Sequence, residues 1–293
     1  MEIGQKIFSA SCFCPDQIFG CGQCFRWERN VNGEYIGVAA DRVLRINMQD
    51  DKICIENTTE KDFENIWRSY FDLDRDYSLI QAELSDGGIM DEAIACGHGI
   101  RILKQDPWET LISFILSSNN NISRIKGMIE KLCVAYGTPI QAFDSTFYTF
   151  PKPERLAGAE PADFAFLSAG YRDKYLADAI NKVISGEVNL QELQCADYQT
   201  LRSQLMQING IGPKVADCVA LFGFGKMEAF PVDVWMRRVV ETLYRKKYSP
   251  LQTAKFVEEK FGKYAGIAQQ YLFYYIRSRN NRQEDVYGKG KKL

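Results

Sequence analysis

Between residues 6 and 57 apolar and polar positions alternate, the period-two signature of strands with one face against a core. Asn32-Gly33 and Asp50-Asp51 break the alternation with residues suited to tight turns, so they read as hairpin connections. The segment is expected to form an antiparallel sheet of several strands, with Cys24 inside one of them. From Thr58 the spacing becomes helical. Thr59 with Asp62 offers a capped start, and Asp106-Pro107-Trp108-Glu109 opens a long apolar helix. Helical spacing recurs over 122–136, 174–185, 198–206, 253–261 and 265–279, and no internal repeat is visible. The pattern predicts an α+β chain: an antiparallel β-sheet domain over 1–90, a mostly helical region over 91–284, and a basic, disordered tail over 285–293.

The segment 205–235 carries the densest chemistry. Asn209-Gly210-Ile211-Gly212-Pro213 lies between two stretches of helical spacing. Pro213 suits a first helical turn, where its missing N–H costs nothing. Gly210 and Gly212 allow a tight turn whose N–H groups, beside a helix N-terminus, suit an anion such as a DNA phosphate. Lys214 then falls in the first turn of a helix running to Phe222 and ended by Gly223 and Gly225. The helix dipole and burial both disfavour its charge there, and a lysine with a lowered pKa can act as a nucleophile. Pro231-Val232 precede Asp233, which reads as the N-cap of another amphipathic helix. An amine and a carboxylate brought together could attack and stabilise a sugar's anomeric centre. A phosphate-binding lysine and a simple capping aspartate fit the same spacing.

Length, at 293 residues, suits one large or two modest domains, and 46% hydrophobic with 25% charged residues is a globular composition. No run of apolar residues is long enough to span a membrane, and the first residues do not read as a signal peptide. The net charge of −2 requires any nucleic-acid surface to be local. Candidates are Arg124 with Lys126, Arg172 with Lys174, Arg237 with Arg238, and Lys289 to Lys292. Nine cysteines read as reduced thiols in an intracellular protein, of cytoplasm and nucleoid or of a nucleus. Cys12, Cys14, Cys21 and Cys24 also carry a zinc-ligand spacing. His98 is the single histidine, which argues against Ser-His-Asp catalysis and a multi-histidine metal site.

Four separated segments resemble the helix-hairpin-helix DNA glycosylases, and within them the 8-oxoguanine DNA glycosylase branch. They are the hairpin with Lys214 and the Pro-Val-Asp at 231–233, residues 105–137, Gly170-Tyr171-Arg172, and Gly22-Gln23-Cys24-Phe25-Arg26-Trp27. The resemblance covers about 20–280. It implies two helical subdomains with a DNA-binding cleft between them. It implies excision of 8-oxoguanine opposite cytosine from double-stranded DNA by base flipping, with Lys214 as nucleophile and Asp233 as essential carboxylate. Strand cleavage by β-elimination through a Schiff base then follows. It assigns the lesion base to Gly22, Cys218, Gln269, Phe273, Asp217 and Phe222, and the opposite base and helix wedge to Asn119, Arg124, Tyr171 and Arg172. DNA phosphate falls to Gly210, Gly212 and Trp235. It implies no redox cofactor and no catalytic metal, a monovalent Na+ or K+ on the carbonyls of Met206, Ile208 and Ile211, no membrane partner, and a monomer. No cysteine follows Cys218, so the iron–sulfur cluster of some relatives has no ligands here.

The Gly22 carbonyl is the expected discriminator, because oxidation turns an acceptor nitrogen of guanine into an N–H donor. Two positions depart from the pattern. Trp235 stands where animal members carry histidine, and Phe222 where they carry methionine, which bears on a phosphate contact and on the shape of the base slot. A helix-hairpin-helix glycosylase for another damaged base and a non-catalytic DNA-binding protein are the alternatives. The first, if monofunctional, would lack Lys214, and the second would need neither Lys214 nor Asp233.

Overall fold

The computed structural model describes residues 4–232, 236, 240–241 and 249–288. Five antiparallel strands form the N-terminal sheet: β1 (Gly4–Phe8), β2 (Trp27–Arg29), β3 (Tyr35–Ala39), β4 (Arg42–Gln49) and β5 (Lys52–Thr58), in the order β1-β5-β4-β3-β2. The expected turns at Asn32-Gly33 and Asp50-Asp51 both close hairpins. A third, at Ala40-Asp41, has both residues at positive φ, with neither the asparagine nor the glycine that marks such a turn in sequence. Cys24 is not in a strand. It lies in the irregular stretch after a short helix, α1 (Pro15–Gly20), that interrupts the alternating segment. Pro15 at the first turn starts that helix, and Ile18 and Phe19 bury beneath the sheet.

Thr59 accepts from the Asp62 amide as expected and begins a helical stretch made of α2 (Glu60–Asp62), a π-turn over Phe63–Trp67 and α3 (Arg68–Tyr70). Phe63, Trp67, Tyr70 and Phe71 pack on the sheet side chains Leu44, Ile46, Ile53 and Ile55 to close a first core. The larger core is mostly helical and also takes in Cys12, Cys21 and Phe25. It is built from α4 (Tyr77–Leu84), α5 (Ile89–Gly97), α6 (Pro107–Ser117), α7 (Ile122–Tyr136), α8 (Arg172–Ile184), α9 (Tyr198–Leu205), α10 (Pro213–Phe224), α11 (Pro250–Phe261) and α12 (Ala265–Gly288). A hairpin of β6 (Pro139–Ala142) and β7 (Ser145–Tyr148) follows α7, and nothing in its sequence marks it. Its turn again sets non-glycine residues, Phe143 and Asp144, at positive φ. No helix among the described residues is long and apolar enough to cross a membrane. α12 continues to Gly288, and residues 289–293 of the expected tail lie outside the described residues.

The two cores are tied together by buried polar groups. Arg101 is buried and donates to the carbonyls of Ser11, Cys12 and Asp72 while its guanidinium covers the Tyr77 ring at 4.6 Å. Lys126, expected on a DNA surface, instead reaches back to the sheet, to the Trp27 carbonyl at 2.7 Å and Glu28 at 2.8 Å. In the helical core α6 is central, begun by Asp106, whose side chain accepts from the Glu109 amide. Gly223 does not end α10. It lies inside that helix, where an added Cβ would come within 3.2 Å of both the Pro107 Cα and the Thr110 Cβ, so its missing side chain lets α10 lie against α6. Gly225, at φ +66, provides the helix end.

Candidate active site

The hairpin between α9 and α10 has the predicted form. Ile211 N–H closes the turn on the Ile208 carbonyl at 3.1 Å, Gly212 caps α10, and Pro213 opens it. Gly210 is at φ +83, and a Cβ there would lie 2.2 Å from the Tyr175 ring, so both backbone and packing demand glycine. Asp178 of α8 holds the turn from the side, accepting from the Asn209 amide at 2.7 Å and its side-chain amide at 2.9 Å. Gly210→Ala is expected to destabilise the protein by about 2 kcal/mol or more and to weaken duplex binding. Unchanged melting temperature and affinity would contradict this account of the turn.

Lys214 lies in the first turn of α10, half-buried, with Nζ 5.7 Å from the centroid of Phe114 on α6. Phe114 stacks on Phe222 at 5.5 Å and meets Phe25 edge-on at 5.5 Å. These rings form an apolar wall facing the amine, and Phe222, at 2% exposure, is part of it. Phe25 stands in the Gly22–Trp27 motif without a role of its own there, and Phe114 on an apolar helix face looks the same in sequence as any core residue. Gly22, at φ +82, sits beside Phe273 of α12, whose Cε1 would be 3.7 Å from a Cβ at Gly22. Cys218 and Gln269 are buried on α10 and α12. The structure thus sets Gly22 beside Phe273, and Lys214 before Phe114, whose ring meets Phe25 three residues after Gly22. Asp233 and Trp235 lie outside the described residues, as do Arg237 and Arg238.

Asp217 takes a different part from the one expected. Its Oδ1 accepts from the Tyr198 hydroxyl at 2.8 Å and from Arg202 at 2.7 Å, both on α9. Burial pushes this carboxyl above its ordinary range, against the Tyr198 hydrogen bond and the Arg202 charge. It joins the two helices of the hairpin.

The asparagine segment lies at the C-terminal end of α6. Asn119 is exposed at φ +48, Asn120 donates to the Leu116 carbonyl, and Asn121 caps α7. Tyr171 is 51% exposed, its ring edge-on to Tyr175. Arg124 is exposed and donates to the Ser168 carbonyl at 2.6 Å. Arg172, expected at the opposite base, is only 4% exposed. It donates to the carbonyls of Ser118, Asn119 and Ala169. In this structure it therefore clamps the turn that presents Asn119.

The four cysteines with a zinc-ligand spacing are not brought together as a ligand set. Among the described residues no group of three or more histidine, cysteine or carboxylate side chains could hold a metal. Cys12, Cys14, Cys21 and Cys24 are free thiols. Burial pushes the Cys21 thiol up to about 12, and it donates to the Ile18 carbonyl.

Residues 6–111 match the 8-oxoguanine DNA glycosylase N-terminal domain, and residues 112–265 match the HhH-GPD superfamily of base excision DNA repair proteins. A probable N-glycosylase/DNA lyase of Methanothermobacter thermautotrophicus is 30% identical over 76% of this chain and 76% of its own. The N-glycosylase/DNA lyase of Arabidopsis thaliana is 31% identical over 87% of this chain and 75% of its own. The crystal structure of the Clostridium acetobutylicum 8-oxoguanine glycosylase/lyase, in complex with duplex DNA containing cytosine opposite 8-oxoguanine, superposes with a TM-score of 0.91. It is 40% identical, over 96% of this chain and 99% of that one. These matches show that the chain belongs to the HhH-GPD superfamily of base excision DNA repair proteins, in its 8-oxoguanine DNA glycosylase branch, and is a DNA glycosylase with lyase activity at abasic sites.

Proposed function

We propose that this enzyme removes 8-oxoguanine lying opposite cytosine in duplex DNA and then nicks the strand. The observation that carries the reading is the Gly22 turn set beside Phe273, together with Lys214 facing the Phe114–Phe222 wall. A base extruded from the helix would stack on Phe273, with Cys218 on its other face and Gln269 at its pairing edge. The Gly22 carbonyl would accept the N–H that only the oxidised purine offers. In guanine the same carbonyl would face an acceptor, a mismatch worth about 1–3 kcal/mol.

The chemistry follows from an amine beside an apolar wall. Neutral Lys214 attacks the anomeric carbon as the bond to the base breaks, and the base leaves with the electron pair and takes up a proton. The Asp233 carboxylate balances positive charge on the sugar. The sugar ring opens to a Schiff base on Lys214, and loss of a proton from the adjacent carbon expels the 3′ phosphate. Asn119 and Tyr171, both exposed, are assigned to the gap and the estranged cytosine, with Arg124 beside them. The hairpin N–H groups take a phosphate. A monovalent cation on the carbonyls of Met206, Ile208 and Ile211 belongs to the same reading. Ile208 already accepts from Ile211 N–H and keeps one lone pair for it.

A panel of duplexes carrying 8-oxoguanine, an alkylated purine or an oxidised pyrimidine, each opposite the four bases, tests this. Single-turnover excision fastest for 8-oxoguanine opposite cytosine is expected. Preference for an alkylated base would move the enzyme to another substrate within its superfamily.

A further inference from the structure

Gln23, next to the base-reading glycine, is a fully buried polar side chain with every hydrogen-bonding atom accounted for. Its Nε2 donates to the carbonyls of Ile18 at 2.9 Å and Arg101 at 2.8 Å, and its Oε1 accepts from the Leu103 amide at 2.9 Å. These bonds fix the side chain. The main-chain carbonyl of Gln23, one residue from the Gly22 carbonyl, is held separately by the Gln105 Nε2 at 2.7 Å. The Gln105 main-chain N–H in turn donates to the Phe222 carbonyl at 3.0 Å. Phe222 belongs to α10, the helix that carries Lys214, and its ring stacks on the Phe114 that the lysine faces.

One residue therefore bridges the turn assigned to read the base and the helix bearing the nucleophile. We propose that Gln105 is a positioning residue that sets the Gly22 carbonyl in register with α10, so that the recognised base is presented to Lys214 at the right distance. This rests on the role given to Gly22 above. A peptide carbonyl is reoriented by rotation of the backbone on either side of it. Without its own donor, the Gln23 carbonyl could tilt and carry with it the Gly22 turn, whose glycine at φ +82 has wide backbone freedom. Displacements well below an ångström matter at a reacting centre. The chain needs a neutral donor at 105. Glutamate has the same shape but sets an acceptor against an acceptor. Because the bond to Phe222 comes from the main chain, substituting the side chain leaves α10 anchored.

That asymmetry defines the test. In Gln105→Glu, with Gln105→Ala as a second variant should the first fold poorly, excision of 8-oxoguanine under single turnover is expected to fall by about ten- to a hundredfold. β-Elimination at a preformed abasic site has no base for Gly22 to read and is expected to stay within about twofold. Amide exchange over residues 20–25 is expected to speed up in both variants. Unchanged exchange there, or an equal fall of the two reactions, overturns the proposal. Wild-type enzyme inactive on 8-oxoguanine would instead sink the substrate assignment. The exchange measurement, which needs no DNA, would still decide whether Gln105 holds the turn.

Discussion

Lys214→Gln is expected to abolish borohydride trapping on duplexes carrying 8-oxoguanine and to reduce excision by at least about a thousandfold. Borohydride reduces an imine, so it captures only an intermediate in which an enzyme amine is bonded to the sugar. The lysine lies where an amine can do this: in the first turn of α10, half-buried, with its Nζ facing the Phe114 ring. The fold should tolerate the change. The ammonium faces the Phe114 ring at 5.7 Å, a contact worth about 0.5–1 kcal/mol near a surface, and glutamine keeps the aliphatic stem. Melting temperature should therefore fall by only a few degrees while chemistry is lost. Equal trapping in wild type and variant would remove Lys214 as the nucleophile. Loss of folding in step with activity would make it structural.

Arg172→Ala should have the second-largest effect, and chiefly on structure. The guanidinium is buried and donates to three carbonyls at the end of α6 and before α8. Its removal leaves buried acceptors without their donor and should destabilise the protein by about 3 kcal/mol. Asn119, whose carbonyl is one of the three, loses its fixed position, so excision should fall even at temperatures where the variant is folded. Arg124→Ala provides the contrast. Arg124 is exposed and makes one described hydrogen bond, to Ser168, so stability should change by about 0.5 kcal/mol or less. If Arg124 reads the opposite cytosine, its loss should flatten the ranking of opposite bases without lowering the melting temperature. An Arg172→Ala protein as stable as wild type would show that the clamp does not operate. An unchanged ranking in Arg124→Ala would remove that residue from recognition.

Features governed by near neighbours along the chain are legible in the amino-acid sequence. Thr59 and Asp106 cap their helices, Pro213 begins α10, and Gly210 turns the hairpin, because each acts through the backbone within a few residues of itself. Turns at Ala40-Asp41 and Phe143-Asp144 are less legible, since Ala40 and Phe143 are residue types that rarely adopt positive φ and a single aspartate is a weak turn mark. The resemblance in motif order names Lys214 and Gly22 together. Side-chain partnership is another matter. A buried arginine and an exposed one look alike in a chain, and only packing sends Arg172 into the carbonyls of the Asn119 turn while leaving Arg124 at the surface. Only packing turns Asp217 toward α9, or lets Gly223 admit α6.

The amino-acid sequence by itself determined the α+β division, the hairpin and its lysine, because caps, turns and periodicity are local and carry their own energetics. Tertiary structure alone decided that Gly22 meets Phe273, that Phe114 and Phe222 form the wall before Lys214, and that Gln105 links the two sides. Those contacts join residues far apart along the chain. They are chosen by how two cores fill space and satisfy buried polar groups together, which no local pattern encodes.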